Sequence, residues 1–294
     1  DYDKALEYYN MALKIRLSLG KNHPDTARSY NNIGHVYSSL NNYDKALEHY
    51  NTALKIQLSV LSENHPDTAT SYNNIGHVYY SLGDYDKALK YHNTALKIRL
   101  SILDENHPDI AASYHDTGYV YYVLENYDKA LEYFKAVLKI TLSAFGENNP
   151  KTASNYNNIG AVYDSLGDYD KALEYYNAAL KIQLSTLGEN HSDTAASYNN
   201  IGYAYDSLGD YEKALEYYNM ALKIRLSVLG DNNPDTATSY NNIGYVYDSL
   251  GDYDKALEYC STALKIRLSV LGENHPATIR CRNNIEKIKS KFKQ

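Results

Sequence analysis

The segment YDKAL, written YEKAL once, begins at Tyr43, Tyr85, Tyr127, Tyr169, Tyr211 and Tyr253, so that it returns every 42 residues. An earlier copy at Tyr2 stands 41 residues before Tyr43. The prolines keep the same clock at Pro24, Pro66, Pro108, Pro150, Pro234 and Pro276, with Ser192 in the remaining slot. A non-repeating chain of 294 residues would be read as one or two packed cores. A fixed period of this length instead makes each unit one supersecondary element that buries its apolar face only by stacking on its neighbours.

Each unit reads as two helices. Tyr72, Ile75, Gly76 and Tyr79 fall at i, i+3, i+4 and i+7, one apolar stripe of a helix predicted from about Pro66 to Leu82. Pro66 suits the first turn, where its missing N–H costs nothing, and Asp67 complements the positive end of the helix dipole. Gly83 closes that helix and Asp84 caps a second, predicted from Tyr85 to about Leu103. Gly76 costs roughly 1 kcal/mol relative to Ala inside a helix, so it needs a packing reason, and close approach of the paired helix at Ala88 supplies one. The chain then reads as a lone second helix over 2–18, six pairs starting near 25, 67, 109, 151, 193 and 235, and a capping helix over 277–292. In that last helix Glu286 replaces the recurring Gly, and Lys287, Lys289, Lys291 and Lys293 give it a solvated face.

Tyr72, Ile75, Gly76 and Tyr79, followed by Ala88 and His92, resemble the tetratricopeptide pattern of aromatic, aliphatic, Gly, Tyr, then Ala and an aromatic. The standard unit has 34 residues. The surplus here falls after Leu96, in KIRLSILDENHPD, and this longer unit, with LSENHPDTA leading into SYNNIG, looks like the repeat region of kinesin light chains. The resemblance spans the chain and implies an all-α fold, a right-handed α-solenoid of stacked antiparallel helix pairs forming one domain over 1–294, with first helices lining the inner face. Similar arrays look like the recognition arms of signalling ATPases and caspase-like proteases. The units here are more uniform and richer in tyrosine than the kinesin type, with Tyr where Trp is common.

Composition excludes several functions. A net charge of -7 and no concentrated Lys/Arg patch before the last helix argue against nucleic acid. No stretch approaches the roughly 18 consecutive apolar residues that cross a bilayer. Two cysteines, Cys260 and Cys281, make no disulfide framework and point to a reducing, cytoplasmic setting with both thiols in the core. The chain opens inside a repeat without Met, as expected of a piece of a longer protein.

No catalytic set survives geometry. Equivalent residues on stacked units stand roughly 10 Å apart, so His23, His65, His107, His191 and His275, which share one slot with Asn149 and Asn233, cannot share a metal at about 2 Å per bond. They read as helix-start residues. Asp84 and Asp86 lack the Gly and closing Glu of a calcium loop, and no serine has a partner His and acid nearby. The expectation is no enzyme, no cofactor and no metal site. The partner expected is a protein or peptide, bound to a monomer, with self-association as the competing behaviour.

Candidate binding residues come from the asparagine pair. Asn is a poor helix former, yet Asn73-Asn74 recurs at Asn31, Asn157, Asn199, Asn241 and Asn283. Asn73 projects about 100° round the helix from the buried stripe, and Thr70, Asn73, His77 and Tyr80 form a second stripe. An amide offers a donor and an acceptor, which suits a peptide backbone. Asn31, Asn73, Asn157, Asn199 and Asn241 are therefore expected as rungs, although the same amides could hold the stack together. Asn74 reads as the structural member of the pair. Replacing Asn157, Asn199 and Asn241 by Ala is expected to weaken peptide capture without unfolding the array.

Specificity is expected where the units differ. One slot holds His35, His77, Tyr119, Ala161, Tyr203 and Tyr245, and the next holds Ser38, Tyr80, Tyr122, Asp164, Asp206 and Asp248. The third unit carries His115-Asp116-Thr117 in place of Asn-Asn-Ile. An extended peptide is expected to set an aromatic or apolar anchor near Tyr80, Tyr119 and Tyr122 and basic residues near Asp164, Asp206 and Asp248. The kinesin-light-chain resemblance implies instead short peptides with an aromatic residue among acidic ones. Competing readings are a structural spacer or self-associating scaffold, and the sensor arm of a larger signalling ATPase or protease.

Overall fold

The computed structural model describes residues 1–292, which form fourteen α-helices and no strand. Lys293 lies outside the described residues. The chain divides into two compact units, Asp1–Ala144 and a second from Phe145 onward. In the first, α1 (Tyr2–Leu19) precedes the pairs α2 (Pro24–Ser39) with α3 (Tyr43–Val60), α4 (Pro66–Ser81) with α5 (Tyr85–Ile102), and α6 (Pro108–Val123) with α7 (Tyr127–Phe145). In the second, α8 (Pro150–Ser165) pairs with α9 (Tyr169–Thr186), α10 (Ser192–Ser207) with α11 (Tyr211–Leu229), and α12 (Pro234–Ser249) with α13 (Tyr253–Leu271), before α14 (Pro276–Phe292). Within each unit consecutive helices pack on one another, and first helices also touch, α2 on α4 and α8 on α10.

The histidine slot is a cap. His23, His65, His107 and His191 each accept, through Nδ1, the backbone N–H two residues on at 3.1 Å. Asn149 and Asn233 do the same through Oδ1. Both side chains place an acceptor lone pair over a free N–H of the first turn, which is why they interchange. Second helices are capped by Asp84, Asp168, Asp210 and Asp252, each accepting the N–H three residues on. The lysine there pairs with the cap carboxylate and lies over a Tyr ring, as Lys213 does with Asp210 at 2.8 Å and with Tyr205 at 4.9 Å. Tyr205 in turn stacks on Tyr217. Much of the tyrosine content is thus spent on pairing each first helix with its second.

Under most of the recurring helix glycines lies a ring of the paired helix, Tyr50 under Gly34, His92 under Gly76, Phe134 under Gly118, Tyr176 under Gly160 and Tyr218 under Gly202, whereas Gly244 meets Cys260. The glycine makes room for a ring, a more specific reason than close approach at Ala88. That ring continues into the next pair, since Tyr50 packs with Ile75 and Val78, and Tyr218 with Ile243 and Val246. Tyr50 in the first unit and Tyr218 in the second thus each pin one pair to the next through a single buried aromatic residue.

Candidate functional site

The asparagine pair is answered by a second recurring slot, Arg16, Gln57, Arg99, Thr141, Gln183, Arg225 and Arg267 on the second helices. Gln57, Arg99, Gln183 and Arg225 are buried. Beside Gln57, Ser71 donates to Gln57 Oε1 at 2.7 Å, and Asn31 Nδ2 donates to Ser71 Oγ at 2.8 Å. Asn157 Nδ2 likewise donates to Ser197 Oγ at 2.8 Å, but Gln183 Oε1 is buried with no hydrogen-bond partner. Where the slot is Arg, the guanidinium takes the serine instead: Arg99 donates to Ser113 Oγ at 2.6 Å and Arg225 to Ser239 Oγ at 2.7 Å. The first asparagine then turns to the next pair's second asparagine position. Asn73 Nδ2 donates to Asp116 Oδ2 at 2.9 Å, and Asn199 Oδ1 accepts from Asn242 Nδ2 at 3.0 Å and from Arg225.

These bonds correct the expected division of labour. Asn73 is buried, and its Oδ1 also meets His92 Nδ1 at 2.8 Å, so it belongs to the stack, while Asn74 is only half-buried. Asn31, Asn157 and Asn199 bond to the adjoining pair, and Asn241 is 5% exposed with Oδ1 buried and unpartnered. Replacing Asn157 and Asn199 would therefore loosen the joints between repeats, so loss of capture in a variant that includes them would not report a rung.

Asp116 is the centre of the first unit's junction. His77 Nε2 lies 3.2 Å from Asp116 Oδ2 and His115 Nδ1 lies 3.6 Å from Oδ1. Burial alone would raise the Asp116 pKa, but hydrogen bonds from His115, His77 and Asn73 outweigh it and hold the carboxyl well below the usual range. His92, 1% exposed, is lowered to about 4 by burial, so a neutral imidazole donates Nδ1–H to Asn73 Oδ1.

Above this junction the first unit carries an aromatic face. Tyr80 and Tyr119 ring centroids are 5.7 Å apart, Tyr119 and Tyr122 are 6.1 Å apart, and His115 stacks on Tyr119. Tyr119 is 43% exposed, and His77 and His35 are exposed. Burial, then the neighbouring Tyr119, pushes Tyr80 up to about 12, so it stays protonated. His35 and Asn31 line a separate cleft of about 470 Å³ with Asn32, Thr70 and Asn74.

The second unit carries carboxylates in the corresponding slot. Asp164 Oδ1 is buried without a hydrogen-bond partner, and burial pushes its pKa up to about 6. Burial raises Asp206 as well. Tyr203, 51% exposed, feels both Asp164 and Asp206, and the buried Tyr218 feels the same pair. Tyr245 accepts a hydrogen bond from Asn284. Asp248 differs: Lys291 Nζ of α14 donates to its Oδ2 at 2.7 Å, so Lys291 is not merely part of a solvated face.

A carboxylate whose pKa is higher in the fold than in the unfolded chain binds its proton more tightly when folded. Its contribution to stability is therefore lost as pH rises from about 4 to about 6. Asp164→Asn should raise stability at pH 7.5 by up to about 1 kcal/mol after allowing for solvent screening, and by nothing at pH 3.5. Melting temperatures of the two proteins at both pH values check this.

Among the described residues no group of three or more His, Cys, Asp or Glu side chains could hold a metal ion. No described helix is long and apolar enough to cross a membrane.

The tetratricopeptide repeat family model matches residues 1–59, 42–101, 67–141, 109–185, 165–227, 193–259 and 235–294. No curated protein sequence matches the chain. Among solved structures, BtubC (BKLC) from P. vanneervenii is similar at 22% identity, with 94% of each chain covered and a TM-score of 0.62. A variant of a putative kinesin light chain with nearly identical TPR-like repeats from Podosopora anserina is 22% identical over 70% of this chain and 98% of that one, with a TM-score of 0.64. A signal transduction ATPase with a tetratricopeptide repeat sensor from Pyrococcus horikoshii is 20% identical, covering 90% of this chain and 38% of that one, with a TM-score of 0.69. These likenesses concern the fold, which generally serves as a non-catalytic scaffold for protein–protein interaction. Matched by that model from its first residue to its last, the chain belongs to the tetratricopeptide repeat family.

Proposed function

We propose that the chain is a protein–protein interaction module that takes an extended partner segment on the face of its first helices. The observation that carries this reading is the clustered aromatic surface of Tyr80, Tyr119 and Tyr122 on α4 and α6, with rings in mutual contact and Tyr119 left 43% exposed. Rigid, partly exposed aromatic groups give large contact area at low entropic cost and are enriched where binding energy concentrates. His77 and His115 border the cluster and offer polar contacts at its edge. His35, lining the cleft with Asn31, extends the same face toward α2. The groups that differ from repeat to repeat, and not the asparagines, then choose the segment.

A peptide-display selection on the protein supplies segments to test, and fluorescence anisotropy measures their affinity. Tyr80→Ala combined with Tyr119→Ala should weaken a selected segment at least tenfold while circular dichroism stays unchanged, because each truncation of a central aromatic contact costs about 1–2 kcal/mol or more. Unchanged affinity would reject the aromatic face as the site. The mass in solution across a concentration range separates this reading from a self-associating scaffold, which would show assembly in place of discrete capture.

A further inference from the structure

The carboxylate slot of the second unit occurs three times, at Asp164, Asp206 and Asp248, and one copy is already occupied. Lys291 lies 43 residues after Asp248 and sets its ammonium 2.7 Å from the Asp248 carboxylate. Residues 43 after Asp164 and Asp206 are Ser207 and Ser249. At those two copies the chain supplies a short hydroxyl and no cation. The Asp248 copy thus shows that this slot, in this backbone setting, accepts a primary amine, and the other two present the same carboxylate with no ion pair formed.

We propose that Asp164 and Asp206 bind a basic segment of a partner protein, an extended chain carrying Lys or Arg at two positions three residues apart. This rests on the reading that first-helix faces take an extended segment. The spacing follows from geometry. First helices of adjoining repeats stand roughly 10 Å apart, and three residues of a polyproline II chain, one full turn that brings both side chains to the same side, span about 9 Å. Tyr203, half exposed and within electrostatic reach of both carboxylates, supplies an aromatic face to the aliphatic stem or the guanidinium. Ala161 stands where Tyr203 and Tyr245 stand in the following repeats, leaving the approach to Asp164 less crowded. At the Asp248 copy the ammonium takes Oδ2 while Oδ1 stays buried and unpartnered, as Asp164 Oδ1 does, so a docking cation takes the outer oxygen of Asp164.

The test uses two displayed libraries of twelve-residue peptides, one with Lys fixed at positions 5 and 8 and one with Gln at both, panned on the whole chain. The Lys library should be enriched at least tenfold over the Gln library, and the enrichment should fall as salt is raised from 50 to 300 mM. Asp164→Asn with Asp206→Asn should abolish the preference, whereas Asp248→Asn, which frees only the Lys291 partner, should leave it intact. Equal enrichment of the two libraries, or a Lys preference that survives the double variant, would overturn the proposal. Competition by spermidine as strong as that by a selected peptide would likewise overturn it in favour of a small polyamine. If segments anchored on Tyr80 and Tyr119 are still captured while basic segments are ignored, this inference alone fails. If neither is captured, the interaction reading fails with it.

Discussion

Gly160→Ala is expected to destabilise the second unit by about 2–3 kcal/mol, among the largest effects available to a single methyl group in this chain. A Cβ at this position would lie 2.6 Å from Tyr176 Cε1 and 2.7 Å from Cδ1. The ring cannot swing aside, because Tyr176 is 3% exposed and packed with Leu180, Ile201 and Ala204. Ile201 and Ala204 belong to the next pair, so displacing the ring disturbs the joint between repeats as well as the pair itself. In a stacked array the joint energy is a main source of stability. Urea titration followed by circular dichroism measures the loss, and Tyr176→Leu in the same chain should restore part of it by opening space for the methyl group. Full stability in the single variant would show that α8 and α9 can separate freely, contrary to the packing described.

Asp116→Ala is expected to cost about 2–4 kcal/mol in the first unit, since it takes the carboxylate from Asn73 Nδ2, leaving that amide only His77 Nε2 at 3.1 Å, and removes the charge shared by His77 and His115. Asp116→Asn should cost less than half as much, because an amide in the corresponding slot, Asn242, bonds well to Asn199. The pH dependence has a definite sign. The folded Asp116 carboxyl titrates below its unfolded range, so its contribution is present above about pH 4 and is lost as pH falls further. His92, lowered to about 4, must stay neutral in the fold, so its share is lost as pH falls from about 6.5 to about 4. Wild-type stability should therefore decline from pH 6.5 downward. The gap between wild type and Asp116→Ala should hold down to about pH 4 and narrow only below it.

The repeat period, the proline and aspartate caps and the positions of the helices were legible because each rests on local chemistry: a fixed φ, a free N–H, a 3.6-residue stripe. Helix ends fall within a residue or two of those read from the chain, as with α4 at Pro66–Ser81 and α5 at Tyr85–Ile102. The roles of the asparagines were not legible, because they depend on a partner elsewhere in the chain. Whether Asn31 turns to Ser71 or Asn73 turns to Asp116 is linked to Gln57 or Arg99 on the second helix. The alternation of Gln and Arg in that slot was a visible signal. Lys291 was read as solvent-facing because its carboxylate partner lies a full repeat away.

On the proposed reading, the outward groups of the first helices serve recognition while the amides hold repeats together. Amide hydrogen exchange of the whole chain, with and without a saturating selected peptide, tests this most directly. Segments anchored on the aromatic cluster should slow exchange in α4 and α6, with no comparable change in α3 and α5. Protection confined to α3 and α5, or no change anywhere at saturation, would contradict the claim that the first-helix face is where this protein meets its partner.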